Sequence, residues 1–136
     1  MSEAIQRNIY THLPTGKLEA ANTKNTLQIH VMDMPGPGGA NHKYNIVIPE
    51  NYGDVPGYRV TPINFQIGGV VDNGINGLTN ETLLAIVIDR LEGFQKSPFN
   101  CSQNQMALEN CRSALWALHN RTLERMSRGV EGKEEI

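Results

Sequence analysis

The spacing of apolar residues changes near Gly74, and that change limits the fold more than any motif does. In Leu27-Gln-Ile-His-Val31 the apolar side chains alternate with polar ones, the two-residue period of a half-buried strand. The same period sets Tyr44, Ile46 and Ile48 on one face, and Ile63, Phe65 and Ile67 on another. Beyond Gly74 the spacing becomes helical: Leu83, Leu84, Val87, Ile88, Leu91 and Phe94 fall within about 140° of a helical wheel. This predicts an α+β chain with segregated elements: a small antiparallel sheet of at least three strands in 1–73, then a two-helix hairpin with a short acidic tail in 74–136.

Turn residues place the connections. Pro35-Gly-Pro-Gly-Gly39 suits neither helix nor ladder and predicts a loop, and a second loop carries Pro49, Gly53, Pro56 and Gly57. Residues 1–26 are less legible; Ile5, Ile9 and Leu13 fit a strand or a short helix. Thr79 or Asn80 can cap the first helix, with Glu81 facing its positive amino end. Gly93, Ser97 and Pro98 interrupt the pattern, and Ser102 with Gln105 spells a capping box for a second helix. Its apolar stripe runs through Leu108, Cys111, Leu115, Leu118, Thr122 and Met126 and ends near Gly129, after which Glu131, Glu134 and Glu135 read as a solvated tail. The first helix's apolar face is too wide for one neighbour, which calls for another chain.

Composition removes whole classes of function. The 136 residues carry a net charge of −2, whereas binders of long nucleic acid draw affinity from broad basic faces. No stretch reads as a signal peptide and no apolar run reaches membrane-spanning length, so the expected location is the cytoplasm. Cys101 and Cys111, about 15 Å apart on a continuous helix, cannot pair within it and read as small, reduced core residues.

Enzyme signatures are missing as well. Gly36-Pro-Gly-Gly-Ala-Asn-His-Lys43 lacks the Gly-Lys-Ser/Thr ending of a phosphate loop, and a strand follows it instead of a helix. A two-histidine phosphodiesterase needs a hydroxyl residue two positions after each histidine. His12, His30, His42 and His119 are followed there by Pro14, Met32, Tyr44 and Arg121. With no GxSxG, CxxC pair or HExxH either, neither catalysis, nor a metal, nor a cofactor is expected.

What remains is a set of binding groups. Arg121, Arg125 and Arg128 project from one side of the second helix near its carboxyl end, either as compensation for the helix dipole or as an anion site. Between Arg112 and Arg128 there are four arginines and one acid, Glu124, a local charge of +3 in an acidic protein. Ala107, Ala114 and Ala117 leave low relief beside them. At the other end of the hairpin, Phe94 is either core or a stacking surface for a base, and Asn104 is either a turn hydrogen bond or a reader of a base edge or ribose. Asn104 and Arg121 lie about 25 Å apart along a helix, too far for one dinucleotide-sized ligand to reach both. Two hairpins packed antiparallel would bring opposite ends together in two equivalent pockets.

The stretches Gly74-Ile-Asn-Gly-Leu-Thr-Asn-Glu-Thr-Leu-Leu-Ala85, Asp89-Arg-Leu-Glu-Gly-Phe-Gln95, Pro98-Phe99, Asn104 and Arg121-Thr-Leu-Glu-Arg-Met-Ser-Arg-Gly-Val-Glu-Gly132 resemble the helical hairpin of bacteriophage cyclic-nucleotide sponges. These include the Thoeris anti-defence type and a shorter anti-CBASS relative; the sheet half, with its Gly-Gly-Ala-Asn-His-Lys-Tyr segment, resembles the former. The resemblance implies a non-catalytic protein in the host bacterial cytoplasm that sequesters a cyclic ADP-ribose isomer made by a TIR-domain enzyme. Some relatives also hold cyclic di- or trinucleotides. It implies a homo-oligomer built from dimers, up to a hexamer, in which Phe94 stacks on adenine, Asn104 hydrogen-bonds, and Arg121 with Arg125 of a neighbouring chain clamps the pyrophosphate. Arg128 joins that cluster, and Asn41 and Arg59 are candidates for covering the pocket. The competing reading is an adaptor hairpin whose arginines meet an acidic protein surface.

Overall fold

A computed structural model describes residues 5–11, 26–50 and 53–136. The chain divides into two compact units, 1–67 and 68–136. The first is a four-stranded antiparallel meander in chain order: β1 (Arg7–Thr11), β2 (Gln28–Val31), β3 (Lys43–Pro49) and β4 (Tyr58–Asn64). The expected α+β arrangement, sheet first and helices second, is borne out.

The register puts the alternating residues in rows. Val31 lies opposite Tyr44 and Tyr44 opposite Ile63, while Ile29 faces Ile46. Val31 is fully buried, and the Tyr44 and Phe65 rings meet edge to face at 5.7 Å. The first strand settles the choice left open near the amino end: Arg7 pairs with Val31 and Tyr10 with Ile29, with a bulge between Asn8 and Tyr10. Leu13 lies outside the described residues.

The last strand begins five residues before the expected Ile63 and stops at Asn64, leaving Ile67 beyond it and exposed. Pairing explains the shift. β4 follows β3 through seven residue pairs, from Lys43–Asn64 to Pro49–Tyr58, so Pro49 ends a strand instead of sitting in a loop. As an edge strand β4 tolerates Pro62, which faces Asn45.

The second unit holds a short helix α1 (Val70–Asn73), then α2 (Asn80–Gln95) and α3 (Ser102–Ser127). Thr79 caps α2 by accepting a hydrogen bond from the Thr82 amide at 3.2 Å. The expected capping box at Ser102 does not form; Cys101 is the cap, its sulfur accepting from the Asn104 amide at 3.4 Å. The cause is Gln95, whose side chain accepts from the Cys101 amide and donates to the Cys101 carbonyl, both at 3.1 Å, holding that residue extended. Cys101 is therefore exposed, not core; Cys111 is half-buried, and both are free thiols.

The α2–α3 contact buries Ile88 and Leu108 and half-buries Leu84, Leu91, Cys111, Leu115, Leu118 and Thr122. On α3 these inward positions step by three and four, and the next step lands on Arg125, so Met126 is left 60% exposed. The helix then ends in a Schellman motif: Gly129 at φ 72°, its amide bonded to the Met126 carbonyl and the Val130 amide to that of Arg125.

The tail after this motif is not the freely solvated segment expected. Val130, Glu131 and Gly132 are half-buried, and Gly132 accepts a 2.9 Å hydrogen bond from the Val71 amide of α1. No helix among the described residues is long and apolar enough to cross a membrane.

Candidate functional site

The hairpin sorts the candidate residues to its two ends. Phe94 lies in the last turn of α2 and is 40% exposed; Asn104 lies in the first turn of α3 and is half-buried. Gln95 joins these turns, since besides gripping Cys101 it donates to Gln105 Oε1 at 3.2 Å. Sequence reading missed Gln95 because its three bonds span six to ten positions, and no local pattern signals them. The Asn104 carboxamide makes no hydrogen bond to any described residue, so its donors and acceptor remain unspent.

At the opposite end the three arginines have different environments. Arg121 is exposed and makes no hydrogen bond or ion pair among the described residues. Arg128 is held by Glu124, Nε to Oε1 at 2.5 Å and Nη2 to Oε2 at 3.1 Å. This fork, helped by the charges of Arg128, Arg125 and Arg121, lowers the Glu124 carboxyl from its ordinary value, and the same bond raises Arg128. Arg125 is 6% exposed and turned into the tail. It donates to Glu131 Oε2 at 3.2 Å and to the backbone oxygens of Val130 (3.0 Å), Lys133 (3.0 Å) and Ile136 (3.3 Å). Of the four arginines in the +3 stretch, Arg112 pairs with Glu92 at 3.0 Å, Arg121 is open to a ligand, Arg128 shares the Glu124 carboxylate and also reaches the Ile136 oxygen at 3.0 Å, and Arg125 organises the chain's own end.

A groove of about 400 Å³ lies on the hairpin, lined by Asn80, Leu83, Leu84 and Val87 from the first half of α2 and by Leu118 of α3. Of the wide apolar face expected on α2, Val87 and Phe94 stay 43% and 40% exposed.

The two cover candidates lie in the sheet unit and are described within it. Asn41 accepts from Arg7 at 2.6 Å and donates to the Asp33 carbonyl at 2.7 Å, bracing the loop between β2 and β3. Arg59 is exposed on β4 opposite Ile48. The glycine-rich run forms one 3₁₀ turn, Pro37–Gly39, closed by the Gly39 amide on the Gly36 carbonyl at 2.9 Å. Asp33 anchors this loop, its carboxylate accepting from the His42 and Lys43 amides at 3.0 and 3.2 Å. Burial pushes the Asp33 carboxyl up, but those amides, the Asn41 side chain and the His42 charge together hold it below its ordinary value.

A lowered carboxyl contributes stability that is complete above about pH 4 and disappears as pH falls through the folded value. Asp33→Asn is expected to flatten that part of the stability–pH profile by less than about 1 kcal/mol, because the carboxylate is partly exposed. Urea unfolding at pH 6 and pH 3 measures it; equal acid sensitivity in both proteins would remove Asp33 from this role.

No family model matches the chain. Against individual proteins, 77 residues are 49% identical to Thoeris anti-defense 1 from Bacillus phage SBSphiJ7. The chain is similar to a Thoeris anti-defence protein. The aligned part is 57% of this chain and 54% of that relative, so the chain spans about half the length of the protein it matches. Over that stretch the resemblance read from the residues to the Thoeris anti-defence type is borne out; the anti-CBASS kinship rests on the sequence reading.

Proposed function

We propose that this chain suppresses Thoeris anti-phage defence as a non-catalytic sponge, binding and sequestering the cyclic ADP-ribose isomer made by a TIR-domain enzyme in the host bacterial cytoplasm. Cyclic di- or trinucleotides are a second ligand class of the same chemistry. One observation carries the reading: the three kinds of group that a nucleotide needs are left unspent on the hairpin. They are the exposed Phe94 ring, the Asn104 carboxamide and the Arg121 guanidinium. A base stacks on the ring, the amide reads a polar edge, and the cation makes charge-assisted bonds to pyrophosphate. The similarity to a Thoeris anti-defence protein points the same way.

The two ends are about 25 Å apart along α3, so one ligand cannot span them within a chain. A second copy packed antiparallel along the Leu83–Val87–Leu118 groove would close two composite pockets and cover the apolar face that the hairpin leaves open. Dimers of this kind are the unit of the proposed oligomer, up to a hexamer. In each pocket Arg121 supplies the open charge, with Arg128 and Arg125 adding to the field.

Sequestration works by mass action, so the chain must match the signal in abundance and hold it more tightly than the immune effector does. The deciding experiment mixes the protein with an enzymatically prepared cyclic ADP-ribose isomer, follows free nucleotide, and recovers it after heat denaturation. Depletion with intact recovery supports a sponge. Recovery of cleavage products makes the protein an enzyme, and no depletion leaves the adaptor reading. Arg121→Ala is expected to weaken binding by about 1.5–3 kcal/mol, the value of hydrogen bonds to a charged group. Titration calorimetry reads the change, and an unaltered affinity removes Arg121 from the site.

A further inference from the structure

One contact in the last turns of α2 is not used by the site as assembled above. The guanidinium carbon of Arg90 lies 5.6 Å from the centroid of the Phe94 ring. Arg90 is exposed, and the helix offers it no carboxylate: its neighbours at three and four positions are Ile86, Val87, Gly93 and Phe94. Among the described residues it makes no hydrogen bond or ion pair, so its partner is the ring. Gly93 brings no side chain between α2 and this pair, and nothing lies within 4 Å of where its Cβ would stand.

We infer that Arg90 is a positioning residue for base stacking: its guanidinium covers one face of Phe94 and holds the ring so that the opposite face is offered to a purine. This rests on the sponge reading above. An exposed phenylalanine at a helix end samples several rotamers, and each molecule of ligand must select the one that stacks. A cation over one face favours a single ring placement about three- to fivefold, the size of a cation–π contact in water. It also draws electron density from the ring, which makes the far face a better surface for an electron-rich adenine. Arg90 acts through Phe94 and not through the phosphates.

The test uses the full chain and the cyclic ADP-ribose isomer. Arg90→Ala is expected to weaken binding about three- to fivefold, while Arg90→Lys, which keeps a cation, restores most of it. In a Phe94→Leu background, where weaker binding persists through Asn104 and Arg121, removing Arg90 is expected to change nothing further. Proton NMR supplies a second readout: the upfield ring-current shift of the adenine protons on binding shrinks in Arg90→Ala. Equal affinity and equal shift in Arg90→Ala and the parent would overturn the inference while leaving the sponge reading standing. So would a loss of the same size with and without Phe94, since Arg90 would then act directly on phosphate. A parent protein that leaves the nucleotide free would end both.

Discussion

Arg125→Ala is expected to release residues 130–136 from the hairpin and to lower its unfolding free energy by about 3 kcal/mol. The size follows from what the guanidinium holds. It is 6% exposed and joins Glu131 and three backbone oxygens, of which the Ile136 oxygen is shared with Arg128 at 3.0 Å. Removing the buried guanidinium leaves the half-buried Glu131 carboxylate and the Val130 oxygen without their charged partner, which costs more than the network contributes against a well-packed apolar substitute. Arg125→Lys is expected to recover less than half, because an ammonium cannot reach four acceptors from one fork. Urea unfolding gives the free energy, and hydrogen exchange at the Val130 and Lys133 amides reports the tail. Parent-like protection in Arg125→Ala would show that other contacts keep the segment in place.

Gly69→Ala should be nearly as costly, about 3 kcal/mol, for a reason of shape alone. A Cβ there would stand 2.3 Å from the Gly132 carbonyl oxygen, 2.8 Å from its carbon and 3.0 Å from Lys133 Cα. All three atoms are backbone, so no side chain can swing aside. Gly69 itself has φ −67° and ψ 141°, where alanine is comfortable, and the whole penalty is therefore contact and not conformation. The 2.9 Å bond from the Val71 amide to Gly132 is expected to break with it. Both substitutions detach the same segment, so the double mutant should cost little more than either alone. Additive losses would mean that the tail and α1 are held independently.

Together these two variants separate the possible roles of Arg125 in ligand binding. Gly69→Ala frees the tail but keeps the charge, whereas Arg125→Ala removes both. If the nucleotide binds Gly69→Ala normally and Arg125→Ala poorly, the guanidinium reaches the ligand by trading tail oxygens for phosphate. Equal losses in the two would make its part the ordering of the chain end.

Reading the residues in order was enough to place the sheet before the helices and to end α3 near Gly129, and it nominated Phe94, Asn104 and Arg121 as binding candidates. Each of those rests on a local cause: the two-residue period, a glycine that can take positive φ, or a residue type standing where its neighbours leave it unexplained. Partners distant along the chain decided the rest. The seven pairs along β3 carried β4 back to Tyr58, and Gln95 moved the α3 cap from Ser102 to Cys101. Helical spacing gave the three arginines one side but could not say that Arg125 falls on the inward step and closes on the tail while Arg121 stays open. Periodicity records the direction in which a side chain leaves its helix. Whether it meets water, a carboxylate or a row of carbonyl oxygens depends on atoms that only the folded chain brings near.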